Sequence, residues 1–210
     1  QLRLDAEHVK VIPNGVNTDY FSPGESVLKV PGRIVTVARL VAAKGIDYLV
    51  DAASELKRHG VDFDWWVIGD GPERQRIEER IATEGLGANV KLLGAQPAAV
   101  VRDALRKCQI FALSSLSEGA PIVNLEAMAA GVPVITTDVA GISEYVVHGE
   151  TGLLVSPKSG GELANAVLKL LASKETRVNM GRLGRERVCT NYSQRAQAKA
   201  LTHSWNTRGV

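Results

Sequence analysis

The sequence predicts an α/β fold in which a parallel sheet carries helices on both faces. Short apolar runs rich in β-branched residues alternate along the chain with helical patterns. These runs lack a clean alternation of apolar and polar residues, which is typical of parallel strands buried on both faces. A β–α–β–α order of this kind favours a doubly wound sheet.

The predicted strands are short segments bounded by turn or helix signals. The first, residues 9–12, precedes a loop at 17–32 that contains two Pro-Gly pairs. The other strands are predicted at residues 33–38, 63–68, 90–93, 110–113, 132–136 and 152–155. Ligands of such sheets bind beyond the carboxyl ends of the strands, so we expect the functional residues to follow the strands.

Helices are predicted between the strands, where apolar residues recur every three or four positions. The predicted helices cover residues 45–59, 73–84, 100–107, 122–130, 162–171, 173–189 and 193–204, with a short turn near 142–147. The sequence shows no internal repeat and no low-complexity linker. Residues 1–210 are therefore predicted to form a single domain.

The composition excludes several classes of function. The formal charge of +2 gives no bulk electrostatic case for nucleic-acid binding. Cys108 and Cys189 lack the spacing of a metal site or a disulfide framework, which favours a reducing compartment. No apolar run reaches the length of a membrane span, and no signal peptide opens the chain. The chain begins with Gln1, so we expect it to be a piece of a longer protein.

Residues 117–131 have the pattern of a loop that runs into an apolar helix. Pro121 suits the first helical position, where no amide donor is needed, and Gly131 ends the helix. Glu126 is an acid in a segment otherwise fit for burial, which is costly without a partner. Glu118 stands just before the free amides of the helix start, which form an anion site. Two carboxylates are thus predicted to flank a place for a phosphate.

These glutamates, followed by Ala-Met-Ala-Ala-Gly-Val-Pro-Val-Ile, resemble the paired-glutamate motif of retaining glycosyltransferases of the GT-B fold, family 4, the glycosyl transferase group 1. The resemblance extends over roughly residues 9–192 and includes further motifs in the family's order. They are Ile12-Pro13-Asn14-Gly15-Val16-Asn17, Arg39 with Lys44-Gly45, Ile68-Gly69-Asp70-Gly71-Pro72, and Gly149-Glu150-Thr151-Gly152-Leu153-Leu154-Val155. Any one motif alone is weak evidence, whereas five in order are specific. The resemblance implies a Rossmann-like sheet that forms the C-terminal half of a GT-B fold.

The resemblance also implies a role for each charged residue. Arg39 and Lys44 match the family's diphosphate-binding cations, which stabilise the charge that builds on a departing diphosphate. Glu118 matches the acid that contacts the donor sugar, and Glu126 the acid that accepts hydrogen bonds from the ribose. The implied catalytic residues are Glu118, Arg39 and Lys44. The implied donor-binding residues are Gly15, Arg39, Lys44, Gly69, Asp70, Gly71, Leu93, Gly94, Ala95, Glu118, Gly119, Pro121, Ile122, Val123 and Glu126.

Structural roles for the same residues stay open at the level of sequence. Arg39 and Lys44 could be solvated loop cations. Glu118 could be a helix-start acid that the macrodipole favours, and Glu126 a buried structural acid.

Two further patterns are weaker. The 69–71 segment is similar to a dinucleotide-binding loop, but Arg74 stands where a third glycine is needed, so a tight strand-to-helix turn is an equal alternative. Asp62-Phe63-Asp64 matches the metal-binding acids of another glycosyltransferase fold. These acids precede their strand and are expected at the wrong end of the sheet, so no metal site is predicted.

The resemblance implies that the full protein transfers a hexose from a nucleotide diphosphate sugar, such as a UDP-, GDP- or ADP-hexose, with retention of configuration. It implies no metal and no other cofactor.

The N-terminal acceptor domain is absent from this chain, so the isolated domain is expected to bind nucleotide and to be inactive. The missing domain is an expected partner, the acceptor is not identified, and nucleic acid is not expected. The expected location is the cytoplasm, with a peripheral contact to the inner face of the membrane through the missing domain. A nucleotide-sugar 2-epimerase of the same fold and a non-catalytic binding domain remain alternatives.

Overall fold

A computed structural model describes residues 11–25, 27–119 and 122–206, and one parallel sheet of six strands lies at its centre. The strands are β1 (Arg33–Val37), β2 (Asp64–Ile68), β3 (Val90–Leu92), β4 (Ile110–Leu113), β5 (Val134–Thr137) and β6 (Gly152–Val155). Their order is β3-β2-β1-β4-β5-β6, and every neighbouring pair is parallel. The winding reverses between β1 and β4, so the predicted doubly wound sheet is confirmed.

Burial explains why these strands lack alternation. Every residue of β4 and β5 is buried, and so are the three central residues of β1. A strand that is covered on both faces needs apolar side chains at successive positions. The predicted bounds of β4 and β6 agree with the structure, and the other strands differ by one or two residues at an end.

The strand predicted at residues 9–12 is not confirmed. Residues 11–12 belong to no strand, and residues 9–10 lie outside the described part of the chain. The chain pairs instead at Val16, whose amide donates to the carbonyl of Tyr192 at 2.8 Å and which bridges Ser193 in parallel. This contact lies away from the sheet, so the segment packs near the C-terminal helices and adds no strand.

Seven α-helices surround the sheet in the described residues. They are α1 (Ile46–Arg58), α2 (Arg74–Thr83), α3 (Ala98–Lys107), α4 (Ile122–Ala129), α5 (Gly160–Ala172), α6 (Lys174–Asn191) and α7 (Gln194–Asn206). One core cluster contains apolar side chains of α1, α2 and α5, and the other contains those of α3 and α4. The helices therefore cover both faces of the sheet, as the sequence predicts.

The predicted helix at 45–59 begins differently in the structure. A short 3-10 helix, Ala42–Lys44, precedes α1, and Gly45 joins the two in a left-handed conformation with φ 57°. A Cβ atom at Gly45 would collide with the carbonyl oxygen of Ser114. Glycine is therefore required here, because the backbone before α1 lies directly against the loop after β4.

Helix α4 ends as the sequence predicts. Gly131 adopts φ 68°, and the amides of Gly131 and Val132 donate to the carbonyls of Met128 and Ala127 at 2.9 and 3.0 Å. These bonds satisfy carbonyls that the end of a helix leaves free. The predicted first residue of the helix, Pro121, lies outside the described residues. The predicted loop at 17–32 contains no helix or strand among its described residues.

Candidate functional site

The candidate site lies where the loops after β1 and β4 meet, at the reversal of the sheet order. In doubly wound sheets a ligand crevice opens at this point, beyond the carboxyl ends of the strands. The amide of Leu116 donates to the carbonyl of Ala43 at 2.8 Å, and the Ser114 hydroxyl donates to the Gly45 carbonyl at 2.9 Å. The loop after β4 is thereby fixed to the segment that carries Lys44.

Lys44 and Glu118 form an ion pair inside this crevice. The Lys44 Nζ atom lies 2.6 and 2.7 Å from the two carboxylate oxygens of Glu118. The Glu118 side chain is only 6% exposed and that of Lys44 is 24% exposed, so water screens the pair weakly. The Ser115 hydroxyl donates a further hydrogen bond to the Glu118 carboxylate. The sequence predicts both residues at this edge but does not predict that they neutralise each other.

Arg39 differs from Lys44 in having no partner among the described residues. It lies two residues after the end of β1 and is exposed, and no described residue forms an ion pair or hydrogen bond with its guanidinium. A planar guanidinium presents five donors that suit a phosphate. Among the described residues, the loop after β1 thus carries an unpaired cation, Arg39, and a paired one, Lys44.

Glu126 is a half-buried acid on α4 without a partner. No described residue donates a hydrogen bond to its carboxylate, and burial raises the pKa of the group. Its neighbours Leu125 and Ala127 are buried in the core. Desolvation disfavours the charged form of the carboxyl group. A ligand that donates hydrogen bonds to the carboxylate would offset this desolvation cost.

Helix α4 begins four residues after Glu118, at Ile122. Gly119 and Ile122 are exposed and Val123 is half-buried. The first-turn amides of an α-helix have no partner within the helix, so those of Ile122 and Val123 remain available to an acceptor. Pro121, also a predicted donor-binding residue, lies outside the described residues.

The predicted glycine loop after β2 packs against the loop after β1. The Gly69 amide donates to the Gly94 carbonyl at 2.8 Å, and the Asp70 carbonyl accepts from the Leu40 amide at 3.0 Å. Cβ atoms at Gly69 and Gly71 would collide with the carbonyl oxygens of Ala38 and Leu40, respectively. Close backbone approach thus explains both glycines, and contact with a nucleotide stays a prediction.

Asp70 and the segment after β3 lie beside this loop. The Asp70 carboxylate accepts from the Gly71 amide at 2.8 Å and lies 3.5 Å from the Arg74 guanidinium. Leu93 donates its amide to the Val67 carbonyl at 2.9 Å, and Ala95 is exposed. The topology therefore brings the predicted segments after β1, β2, β3 and β4 to one edge of the sheet.

Comparison with known proteins agrees with this architecture. The sequence profile described as "Glycosyl transferases group 1" matches residues 25–187. The chain belongs to this family.

Relatives of this glycosyltransferase domain include enzymes with known donors. One is a GDP-mannose-dependent α-(1-6)-phosphatidylinositol monomannoside mannosyltransferase of Mycobacterium tuberculosis (strain CDC 1551 / Oshkosh). It is 31% identical over 203 residues, which cover 89% of this chain and 53% of the relative. The chain spans about half the length of the curated relatives that it matches.

Solved glycosyltransferases have the same fold. Sucrose-phosphate synthase from Thermosynechococcus elongatus superimposes with a TM-score of 0.86 at 28% identity, over 94% of this chain and 52% of that protein. The C-terminal domain of a glycosyl transferase group 1 family protein from Francisella tularensis superimposes with a TM-score of 0.77 at 28% identity. It covers 86% of this chain and 100% of that domain. The GT-B fold assignment is thus confirmed.

Gly15, a predicted donor-binding residue of the glycosyltransferase domain, packs against the start of α7. The nearest atoms to a Cβ built on Gly15 belong to Gln194 and Gln197, at 2.8 to 2.9 Å. Glycine is required here because the chain lies against the start of α7. Its predicted contact with the donor stays a prediction.

Ser115 and Tyr145 are polar residues for which the sequence predicted no individual role at the site. Ser115 is 0% exposed and binds Glu118, and Tyr145 is 5% exposed in the turn at 141–145. A serine three positions before a motif glutamate is only a weak indication of a functional role. A tyrosine in an apolar stretch predicts packing in the core. Neither residue could be placed at the site without the tertiary contacts.

The described residues of the glycosyltransferase domain contain no group of three or more histidine, cysteine or acidic side chains with metal-site geometry. Asp64, one of the acids in the weak metal motif, pairs with Arg33 at 2.7 Å and with Lys91 at 3.4 Å. Among the helices in the described ranges, none is both long enough and apolar enough to cross a bilayer.

Proposed function

We propose that the chain is the donor-binding, C-terminal half of a retaining glycosyltransferase that takes a hexose from a nucleotide diphosphate sugar. The observation that carries the proposal is the Lys44–Glu118 ion pair, with Arg39, five positions before Lys44, unpaired among the described residues. Membership of the group 1 family supports sugar transfer in general. The GDP-mannose dependence of one relative supports a nucleotide diphosphate donor.

In this proposal the donor breaks the Lys44–Glu118 pair. A diphosphate that enters the crevice carries two negative charges. It binds Lys44 together with Arg39 and the first-turn amides of α4. Lys44 then turns from Glu118 to the phosphates, and the exchange replaces one charge-assisted contact with another. The cations and helix amides stabilise the negative charge that grows on the leaving diphosphate.

Release of Lys44 leaves the Glu118 carboxylate free to accept hydrogen bonds from the donor sugar. The sugar gains positive charge as its bond to the phosphate breaks, and a nearby carboxylate stabilises that state more than the ground state. Glu126, on the same helix, accepts hydrogen bonds from the ribose hydroxyls. The proposed reaction needs no catalytic metal and no other cofactor, because cations of the chain neutralise the phosphates.

The rest of the enzyme supplies the acceptor site. We propose that an N-terminal domain binds the acceptor, that the 210-residue chain is a single donor domain, and that alone it does not turn over. We further propose a cytoplasmic location, with any membrane contact made by the missing domain, which fractionation of the full-length protein would test.

No contact in the described residues favours a 2-epimerase or a non-catalytic domain. Product analysis of the full-length protein with a nucleotide sugar and candidate acceptors separates these functions.

The first expected result is that the chain binds a nucleoside diphosphate about tenfold to a hundredfold more tightly than the matching monophosphate. Charge-assisted contacts to the second phosphate are worth about 1.5–3 kcal/mol. Titration calorimetry with ADP, GDP and UDP and their monophosphates measures the ratio. Equal affinities within each pair would refute the assignment of Arg39 and Lys44.

The second expected result concerns Glu126, whose raised pKa gives a stability test with a definite sign. A carboxyl that binds its proton more tightly in the folded state loses stability as pH rises from its ordinary pKa through the raised one. Glu126→Gln removes this loss, so the variant should melt at or above the wild-type temperature at neutral pH. The difference should shrink in acid.

The same variant should bind the diphosphate more weakly, because the amide lacks charge-assisted acceptance of the ribose hydroxyls. Calorimetry and melting curves on Glu126→Gln together decide the role of the residue. A variant that melts lower and binds normally would make Glu126 a structural acid.

A further inference from the structure

Tyr145 is a buried phenol in a turn that packs against the loop of Glu118. It belongs to the turn at 141–145, which follows β5. A Cβ atom built on Gly141 would lie 3.0 Å from the carbonyl oxygen of Gly119. The turn therefore packs directly on the residue after Glu118.

The hydroxyl of Tyr145 makes no hydrogen bond with the described residues. Its oxygen is buried and has no hydrogen-bond partner among the described residues. The ring is held by other contacts, since it packs edge-on against Tyr192 with 6.0 Å between centroids. The Arg187 side chain donates to the Tyr145 carbonyl at 2.9 Å, which fixes the backbone. An orphan buried hydroxyl is costly, and nothing around the ring requires it.

The Tyr145 hydroxyl is a hydrogen-bond donor without an acceptor among the described residues. Burial, followed by the negative charges of Glu118 and Glu144, raises the pKa of Tyr145, so the phenol keeps its proton. Glu118 is the better acceptor of the two, because its carboxylate is nearly buried while Glu144 is exposed. In the donor-free structure, however, Lys44 and Ser115 occupy the Glu118 oxygens.

We propose that Tyr145 is a positioning residue, whose hydroxyl donates a hydrogen bond to the Glu118 carboxylate when Lys44 leaves it for the donor diphosphate. The inference rests on the proposed function for the departure of Lys44. The phenol and Ser115 then hold the carboxylate in place while its remaining lone pairs face the sugar. The hydroxyl would thus gain its acceptor only when the donor is bound.

The first test needs no ligand. Tyr145→Phe keeps the ring and removes the hydroxyl, so in the wild-type background the melting temperature should stay the same or rise. In the Lys44→Met background Glu118 has already lost its cation, and the phenol should have taken its place. There Tyr145→Phe should lower the melting temperature by about 2–4 °C.

Tyr192→Phe is the matched control for this comparison. The Tyr192 hydroxyl donates to the Glu144 carbonyl at 2.6 Å, so its phenol already has a partner in the free state. Its removal should lower the melting temperature equally in both backgrounds. An equal loss for Tyr145→Phe in both backgrounds would overturn the proposal, because a merely structural hydroxyl behaves in that way.

The second test adds ligand to the same variants. Tyr145→Phe should weaken binding of the best diphosphate among ADP, GDP and UDP about fivefold to tenfold, and it should have no effect on binding in the Lys44→Met background. Unchanged affinity in the wild-type background would also overturn the proposal. A wild-type chain that binds none of the three overturns the proposed function instead. The melting comparison, which contains no ligand, then still decides whether Tyr145 serves Glu118.

Discussion

Replacement of Lys44 by methionine is expected to lower the affinity for a nucleoside diphosphate about tenfold to a hundredfold. The substitution removes the charge-assisted contact to the phosphates, which is worth about 1.5–3 kcal/mol. Affinity for the monophosphate should change little, because the second phosphate supplies most of this contact. Calorimetry with both nucleotides on wild type and variant measures the difference.

The same variant should also be less stable. The Glu118 side chain is 6% exposed and loses a cation that lies 2.6 Å away. A nearly buried carboxylate that exchanges its cation for neutral hydroxyl donors should cost about 1–3 kcal/mol. Urea unfolding of the two chains provides the measurement.

Glu118→Gln is the informative contrast to Lys44→Met. If the donor must take Lys44 from Glu118, then a neutral amide at position 118 releases the lysine in advance. The affinity for the bare diphosphate should therefore rise in this variant, whereas it falls in Lys44→Met. Weaker binding in both variants would contradict the exchange of partners and would place Glu118 among the direct phosphate-binding groups.

Gly69→Ala is expected to destabilise the chain by about 3–5 kcal/mol. Gly69 adopts φ 139°, a region that residues with a side chain rarely enter, and a Cβ atom there would overlap the Ala38 carbonyl oxygen. That carbonyl cannot retreat easily, because the amides of Ala38 and Leu40 donate to the carbonyls of Ile68 and Asp70 at 3.0 Å. Urea unfolding followed by circular dichroism measures the loss.

Gly60→Ala is the matched control for Gly69→Ala. Gly60 also has a positive φ, of 68°, but no atom lies within 4 Å of a Cβ atom built on it. Its substitution should cost only the conformational penalty of a left-handed alanine, about 1–2 kcal/mol. A similar loss in both variants would show that the contact with Ala38 relaxes at no cost.

Local patterns in the sequence account for most of the fold. Strands β4 and β6 have the predicted bounds, and α4 ends before Gly131, because apolar runs and glycine signals act over a few residues. The same patterns fail for residues 9–12. An apolar run predicts a strand wherever it occurs, but it forms one only where it can pair with an edge of the sheet. The Val16 amide instead donates to the carbonyl of Tyr192.

The sequence alone determined the doubly wound fold, the family and the set of residues expected to meet at the sheet edge. It could do so because periodicity and motif order are properties of neighbouring positions. Only the tertiary structure decided which partner each charged residue has. Lys44 and Glu118 are 74 positions apart, and the adjacency of β1 and β4 brings them together. For the same reason only the fold shows that Arg39 is unpaired among the described residues. It also shows that the buried Tyr145 hydroxyl has no hydrogen-bond partner among them, in a turn that packs against the Glu118 loop.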